Sequence, residues 1–215
     1  AVTTTGTQDY NDNVTLGAET TLTGTDLDLA GTLDNAQDLI LDFSGTTAFN
    51  GNVGNTAAIG DGTGAAITIN STGTTDFNGT LDTDSGITQA NGAGMLTFAD
   101  DVTIAAGNTA TTLNTNTTLD GLTLSTDGVI TFGNEASDTL TLSTGDVNIT
   151  TTGAGDTLTV NSLVDGAFDL TLDATDATIF NANVGATTPI GEGGGAAITI
   201  NGTGTTAFNG TVDTD

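Results

Sequence analysis

The sequence predicts an all-β chain: a parallel β-helix (β-solenoid) of stacked short strands, a fragment of a longer repeat array. Three observations predict it. The text repeats itself at long range, its apolar residues fall in short alternating runs, and Gly, Asn and Asp separate those runs. Repetition of this kind marks architectures in which each unit buries its apolar face against its neighbours.

The long repeat comes first. Residues 49–84 align without gaps on residues 180–215, an offset of 131, and 27 of the 36 positions are identical. FNGTLDTD closes the first copy and FNGTVDTD the second, with Leu81 exchanged for Val212. Upstream, Asp34, Asp38, Leu39, Leu41 and Asp42 fall on Asp165, Asp169, Leu170, Leu172 and Asp173. Residues 1–84 therefore read as the end of one repeat period, and residues 85–215 as one full 131-residue period. Together they form one continuous solenoid. A shorter echo lies inside: Phe49-Asn50-Gly51 recurs 28 residues on as Phe77-Asn78-Gly79, and Phe180-Asn181-Ala182 as Phe208-Asn209-Gly210.

The strands come next. Apolar-polar-apolar triplets occupy residues 14–16, 27–29, 67–69, 102–104, 122–124, 140–142, 147–149, 158–160, 170–172 and 198–200. That is the period of a strand with one buried face. The chain has 51 Thr, a good strand residue on a solvated surface. Turn-forming Gly, Asn and Asp stand between the runs, and Pro189 is the only proline to interrupt a ladder. Nothing reads as a helix. Tandem Ig-like β-sandwich repeats are the alternative, since many short strands at such spacing suit either fold. A rod with coils of roughly 20–30 residues stacked about 4.8 Å apart would be on the order of 40–50 Å long.

Composition narrows the function. Of 215 residues 27 are acidic and none is Lys, Arg or His, a formal charge of −27. Without cations the chain has nothing to neutralise phosphates, which argues against nucleic acid and against anionic membrane surfaces. No apolar run approaches the length of a membrane-spanning helix. Without His or Cys there is no Ser-His or Cys-His nucleophile, so the expectation is that the chain is not an enzyme. A carboxylate-pair glycosidase on a β-helix is the remaining catalytic alternative.

The stretches TFADDVTIAAGNT, TAFNGNVG and DTLTLSTGDVNI resemble, in cadence and composition, the strand-repeat regions of large bacterial surface proteins, the filamentous-haemagglutinin-like adhesins. The resemblance implies a right-handed parallel β-helix at the extracellular face of a bacterial cell surface, acting as an adhesive or structural fibre. This chain departs from those regions in having no basic residue. The functional expectation is a structural, filament-forming surface protein, with an adhesin stalk or binding module as the alternative. Its expected partners are copies of itself, end to end or side by side, divalent cations, and surface glycans.

The candidate cation is Ca²⁺, which takes six to eight oxygen ligands. Asp82 with Asp84, and Asp213 with Asp215, sit two apart, which places both carboxylates on one face of a strand. Asp38 with Asp42, and Asp169 with Asp173, are further candidate ligands. The plainer reading makes all of these turn formers and solvated surface charge. Glycine-rich loops at residues 60–64 and 191–195 stand at equivalent places in the two periods and read as turns or filament contacts.

Overall fold

The computed structural model describes residues 1–105 and 109–215. Residues 106–108, inside the stretch TFADDVTIAAGNT at 97–109, lie outside the described residues. Among those described, every regular element is a short strand, and no helix is long and apolar enough to cross a membrane. The pairings are parallel, as stacked coils require and an antiparallel sandwich does not allow.

The coils present three faces. Face one is a ten-stranded sheet running from Val2–Thr3 to Thr206–Phe208, and face two an eight-stranded sheet from Gln8–Tyr10 to Leu163–Asp165. Single-residue bridges at Val184 and Val212 extend face two. Face three starts with Val14–Thr15 and Leu33–Asp34, crosses a single-residue bridge at Val53, and continues from Leu81–Thr83 to Ile198–Ile200. The chain visits the faces in strict rotation, one, two, three. A coil takes from 19 residues, Leu22 to Leu41, to 28 residues, Leu41 to Ile69. Ten strands about 4.8 Å apart make a ladder about 43 Å long.

The typical strand is three residues long, with its outer two side chains inward and its middle one outward. This alternation is why triplets sufficed as a signal. Stacking in register then places like on like. On face one the inward column reads Leu22, Leu41, Ile69, Gln89, Leu113, Phe132. Gln89, fully buried, is satisfied at both ends of its amide: Nε2 donates to the Gly94 carbonyl at 2.8 Å, and Oε1 accepts the Thr115 N–H at 3.1 Å.

The Phe-Asn-Gly echo now has a physical meaning, since its two copies lie on adjacent coils. Phe49, Phe77 and Phe98 form an inward stack on face two, with ring centroids 4.8 and 5.6 Å apart. Phe180 and Phe208 stack at 4.9 Å on face one. The asparagines form ladders at the following corner: Asn78 Nδ2 donates to Asn50 Oδ1 at 3.0 Å, and Asn209 Nδ2 to Asn181 Oδ1 at 2.9 Å.

Glycine has a separate column at the corner between faces one and two. Gly45, Gly73 and Gly94 stack on consecutive coils, and a Cβ on Gly73 would fall inside contact distance of the Gly45 backbone. There the coils approach too closely for any side chain.

Threonine fills inward positions as well. Thr47 and Thr75 are stacked neighbours with inward side chains, and both hydroxyls are buried without a hydrogen-bond partner. An unpaired buried hydroxyl is destabilising, whereas an apolar group of the same shape is not. Thr75→Val is expected to raise stability by about 1 kcal/mol, read as a higher urea midpoint with an unchanged slope; a lower midpoint would refute the assignment.

The 131-residue repeat does not return to the same face. Leu39–Phe43 lies on face one, but its counterpart Leu170–Ala174 lies on face three. Thr47–Phe49 lies on face two and Thr178–Phe180 on face one. Between counterparts the chain advances sixteen strands plus the bridge at Val53, one position short of six three-strand turns. Each period is thus turned by a third of a revolution relative to the one before.

Candidate functional site

Most of the carboxylates lie outside the strands, at the corners between faces, and a minority face outward from the strands themselves. Their commonest partner is a backbone N–H of the adjoining coil. Asp26 accepts from Thr46 at 2.9 Å, Asp34 from Thr56 at 2.7 Å, and Asp101 from Thr123 at 2.8 Å. Asp165 accepts from both Thr187 and Thr188, at 2.8 and 3.1 Å. These bonds clamp one layer to the next and use charged acceptors, the stronger kind.

Two corners gather several acids. At the first, the Asp61 N–H donates to Asp38 Oδ1 at 3.1 Å. Asp61 in turn accepts from Thr63 N and Oγ1, at 2.9 and 2.7 Å, and these bonds hold its carboxyl below the usual range. Burial pushes Asp38 up, opposed by the Asp61 N–H and reinforced by the charges of Asp61, Glu19 and Asp84. The second corner is the counterpart one period later. There the Asp169 N–H donates to Asp146 Oδ1 at 3.1 Å. A hydrogen bond with Asp146, and then the charges of Asp146 and Asp169, push Glu192 above the usual glutamate range.

The eight acids singled out by sequence divide accordingly. Asp38 and Asp84 share the first corner, and Asp169 belongs to the second. Asp82 points outward from Leu81–Thr83 beside Thr103, while Asp42 lies beside Thr23 and Asp173 beside Thr150. Asp213 and Asp215 are exposed. The two corners also hold Glu19, Asp61, Asp146 and Glu192, which are not among those eight. For Asp61 and Glu192 the signal was available, because both are acidic, sit in the glycine-rich loops and are 131 residues apart.

Such corners bring carboxylate oxygens of adjoining coils near one another. Among the described residues no group of three or more His, Cys, Asp or Glu is drawn together closely enough to hold a metal ion. Because the folded chain raises the Glu192 pKa above 4.5, the ionised side chain opposes folding at neutral pH. The opposition fades as pH falls through the folded value towards 4.5. Glu192→Gln is therefore expected to melt higher than the parent at pH 7, with the gap closing below pH 4.5. Melting curves across that range check the sign; a lower-melting variant at pH 7 would contradict it.

Larger concave spaces occur at the two outermost coils. A cleft of about 410 Å³ is bounded by Ile198, Ile200, Phe208 and Val212, and another of about 200 Å³ by Val2, Tyr10, Val14 and Leu16. The first also has Thr214 and Asp215 in its wall, and the second Thr15 and Thr20. No protein-family model, curated protein or solved structure matches this chain.

Proposed function

We propose that the chain is a mechanical element, a stiff segment of an extracellular fibre at a bacterial surface. The reading rests on one observation: in-register parallel ladders on three faces, bound together by an apolar interior stacked like on like. Such a body transmits load along backbone hydrogen bonds that all run parallel to its axis. The resemblance in cadence to filamentous-haemagglutinin-like regions supports the surface location. In this reading copies of the chain associate, and divalent cations such as Ca²⁺ lessen the repulsion of a chain carrying −27.

The purified chain is expected to form filaments with an axial repeat of about 4.8 Å, visible by electron microscopy and fibre diffraction. Filaments grown in Ca²⁺ should shorten or dissolve in EDTA. Filaments indifferent to EDTA would remove cations from the reading, and a chain that stays monomeric at high concentration and raised salt would remove the fibre.

A further inference from the structure

Face one differs from the other two in what it shows to solvent. Its outward column carries Thr68, Thr88, Thr112, Thr131 and Thr159 on five consecutive coils, with Ile40 before them and Ile179 after. No paired residue of that column is acidic, from Thr21 to Ala207. The outward column of face two contains Asp9, Asp28, Asp76 and Asp165, and that of face three Asp34, Asp82 and Asp173. The exclusion of acids on face one extends sideways, because residues flanking the strands continue its ladders. The Ala66 N–H donates to the Gly86 carbonyl at 2.9 Å, and the Asn161 N–H to the Phe132 carbonyl at 2.8 Å. Residues 66–70, 86–90, 110–114, 129–133, 157–161, 177–181 and 205–209 hold no Asp or Glu in 35 positions, where the chain's average would place about four.

We propose that face one binds ice. Stacked strands set the five threonines about 4.8 Å apart, so that they span about 19 Å. Each is half-buried between its neighbours, and β-branching leaves the side chain few rotamers. Hydroxyl and methyl therefore recur at the spacing of the backbone. Oxygens in the exposed planes of hexagonal ice repeat at a distance only slightly shorter. A threonine hydroxyl both donates and accepts, so it takes the place of one water in such a plane, while the methyl leaves adjacent waters bonded to one another. A carboxylate would instead turn the surrounding waters towards its charge, and face one has none. Threonine hydroxyls that bond within the chain lie elsewhere: at the corner after face three, Thr152, Thr175 and Thr203 donate to carbonyls of the coil before. A second fixed column runs beside the threonines. Asn114 Nδ2 donates to the Gln89 carbonyl at 2.7 Å, Asn161 Nδ2 to the Gly133 carbonyl at 3.1 Å, and Asn181 Nδ2 to Asn161 Oδ1 at 2.8 Å. These amides are thus tied along the axis. The face repeats from coil to coil and offers no charge to fix a protein partner in one register, whereas a lattice needs only the repeat. The proposal does not depend on the fibre reading.

Partition into growing ice tests the face. The chain, at low ionic strength where its charge keeps copies apart, is frozen slowly onto a cooled probe, and the protein in the melted ice is measured by amino-acid analysis. The parent chain is expected to be enriched in the ice and to facet ice crystals held near their melting point. Thr112→Tyr places a ring in the middle of the column and is expected to leave the chain in the liquid, like an inert solute; Thr131→Tyr repeats the test one coil on. Thr118→Tyr is the control. It changes the next strand of the same coil, outward on face two between Thr97 and Thr141, and should keep the parent's enrichment. Tyr is a good strand residue, and urea midpoints check that all variants fold. A parent excluded from ice overturns the proposal, as does equal loss in the face-one and face-two variants or full retention in Thr112→Tyr and Thr131→Tyr. A parent excluded from ice, dimeric by sedimentation and made monomeric by Thr112→Tyr assigns face one to a second copy and also overturns it. Filament formation is scored separately, so the fibre reading and the ice-binding face fail or stand independently.

Discussion

Phe77→Ala is expected to cost about 4 kcal/mol, at the upper end of large-to-small core changes. Phe77 is the middle ring of the Phe49–Phe77–Phe98 stack and is almost fully buried. Truncation removes its own buried area and the face-to-face contact on both sides. The neighbours cannot collapse into the space, because each ring hangs from a backbone fixed by ladder hydrogen bonds to the coils above and below. Phe77→Leu should recover more than half of the loss by refilling volume. Urea denaturation measures the difference. In a stack of nearest-neighbour layers, hydrogen exchange should also localise the weakness to the coils on either side of residues 75–77. A loss spread evenly over the chain would contradict this picture.

Gly73→Ala is the second large effect, from crowding instead of vacancy. The added methyl would meet the Gly45 carbonyl, which is main chain and cannot turn aside. Overpacking of this kind costs typically about 1–3 kcal/mol, and since the three nearest atoms are all Gly45 main chain, this site lies at the upper limit, about 3 kcal/mol. The nearby Gly92 has open space around it and a φ of 76°. The comparison variant is Gly62→Asn, at another open position with φ 79°, since Asn tolerates the left-handed region. It should leave the urea midpoint almost unchanged. Equal effects at the two positions would mean that the close approach at Gly73 is not what limits substitution there.

Much of this fold was legible in the sequence, for a definite reason. A strand flanked by Leu, Ile or Val announces itself by alternation, as in Ile67-Thr68-Ile69 or Leu158-Thr159-Val160, and these are strands. Strands beginning with an inward threonine were not announced. Thr47–Phe49, Thr75–Phe77, Thr111–Leu113 and Thr178–Phe180 each place a buried Thr where a Val would be expected. Thr has nearly the shape of Val, so it fits the column, but by letter it reads as polar. Single-residue strand positions such as Val53 and Val184 were invisible, because one residue has no period. The acidic corners were half legible. Asp38 and Asp169 were singled out from a spacing of four with Asp42 and Asp173, whereas the fold joins them to Asp61 and Glu192 across adjoining coils. Spacing along one strand cannot foretell a partner some twenty residues away.

The third-of-a-turn advance of each period has a consequence for the shape of a longer array built the same way. Any single period is asymmetric: the glycine-rich loop at residues 60–64 occupies one corner, and the Phe49–Phe77 pair lies on one face. If every period presented these features to the same side, small differences in layer thickness would accumulate and the axis would curve towards the thinner side. Turning each period by 120° distributes them over three directions, so a curvature begun by one period is undone by the next two. Like the transposed strands of a cable, the repeats would keep the axis straight and make it equally resistant to bending in every direction.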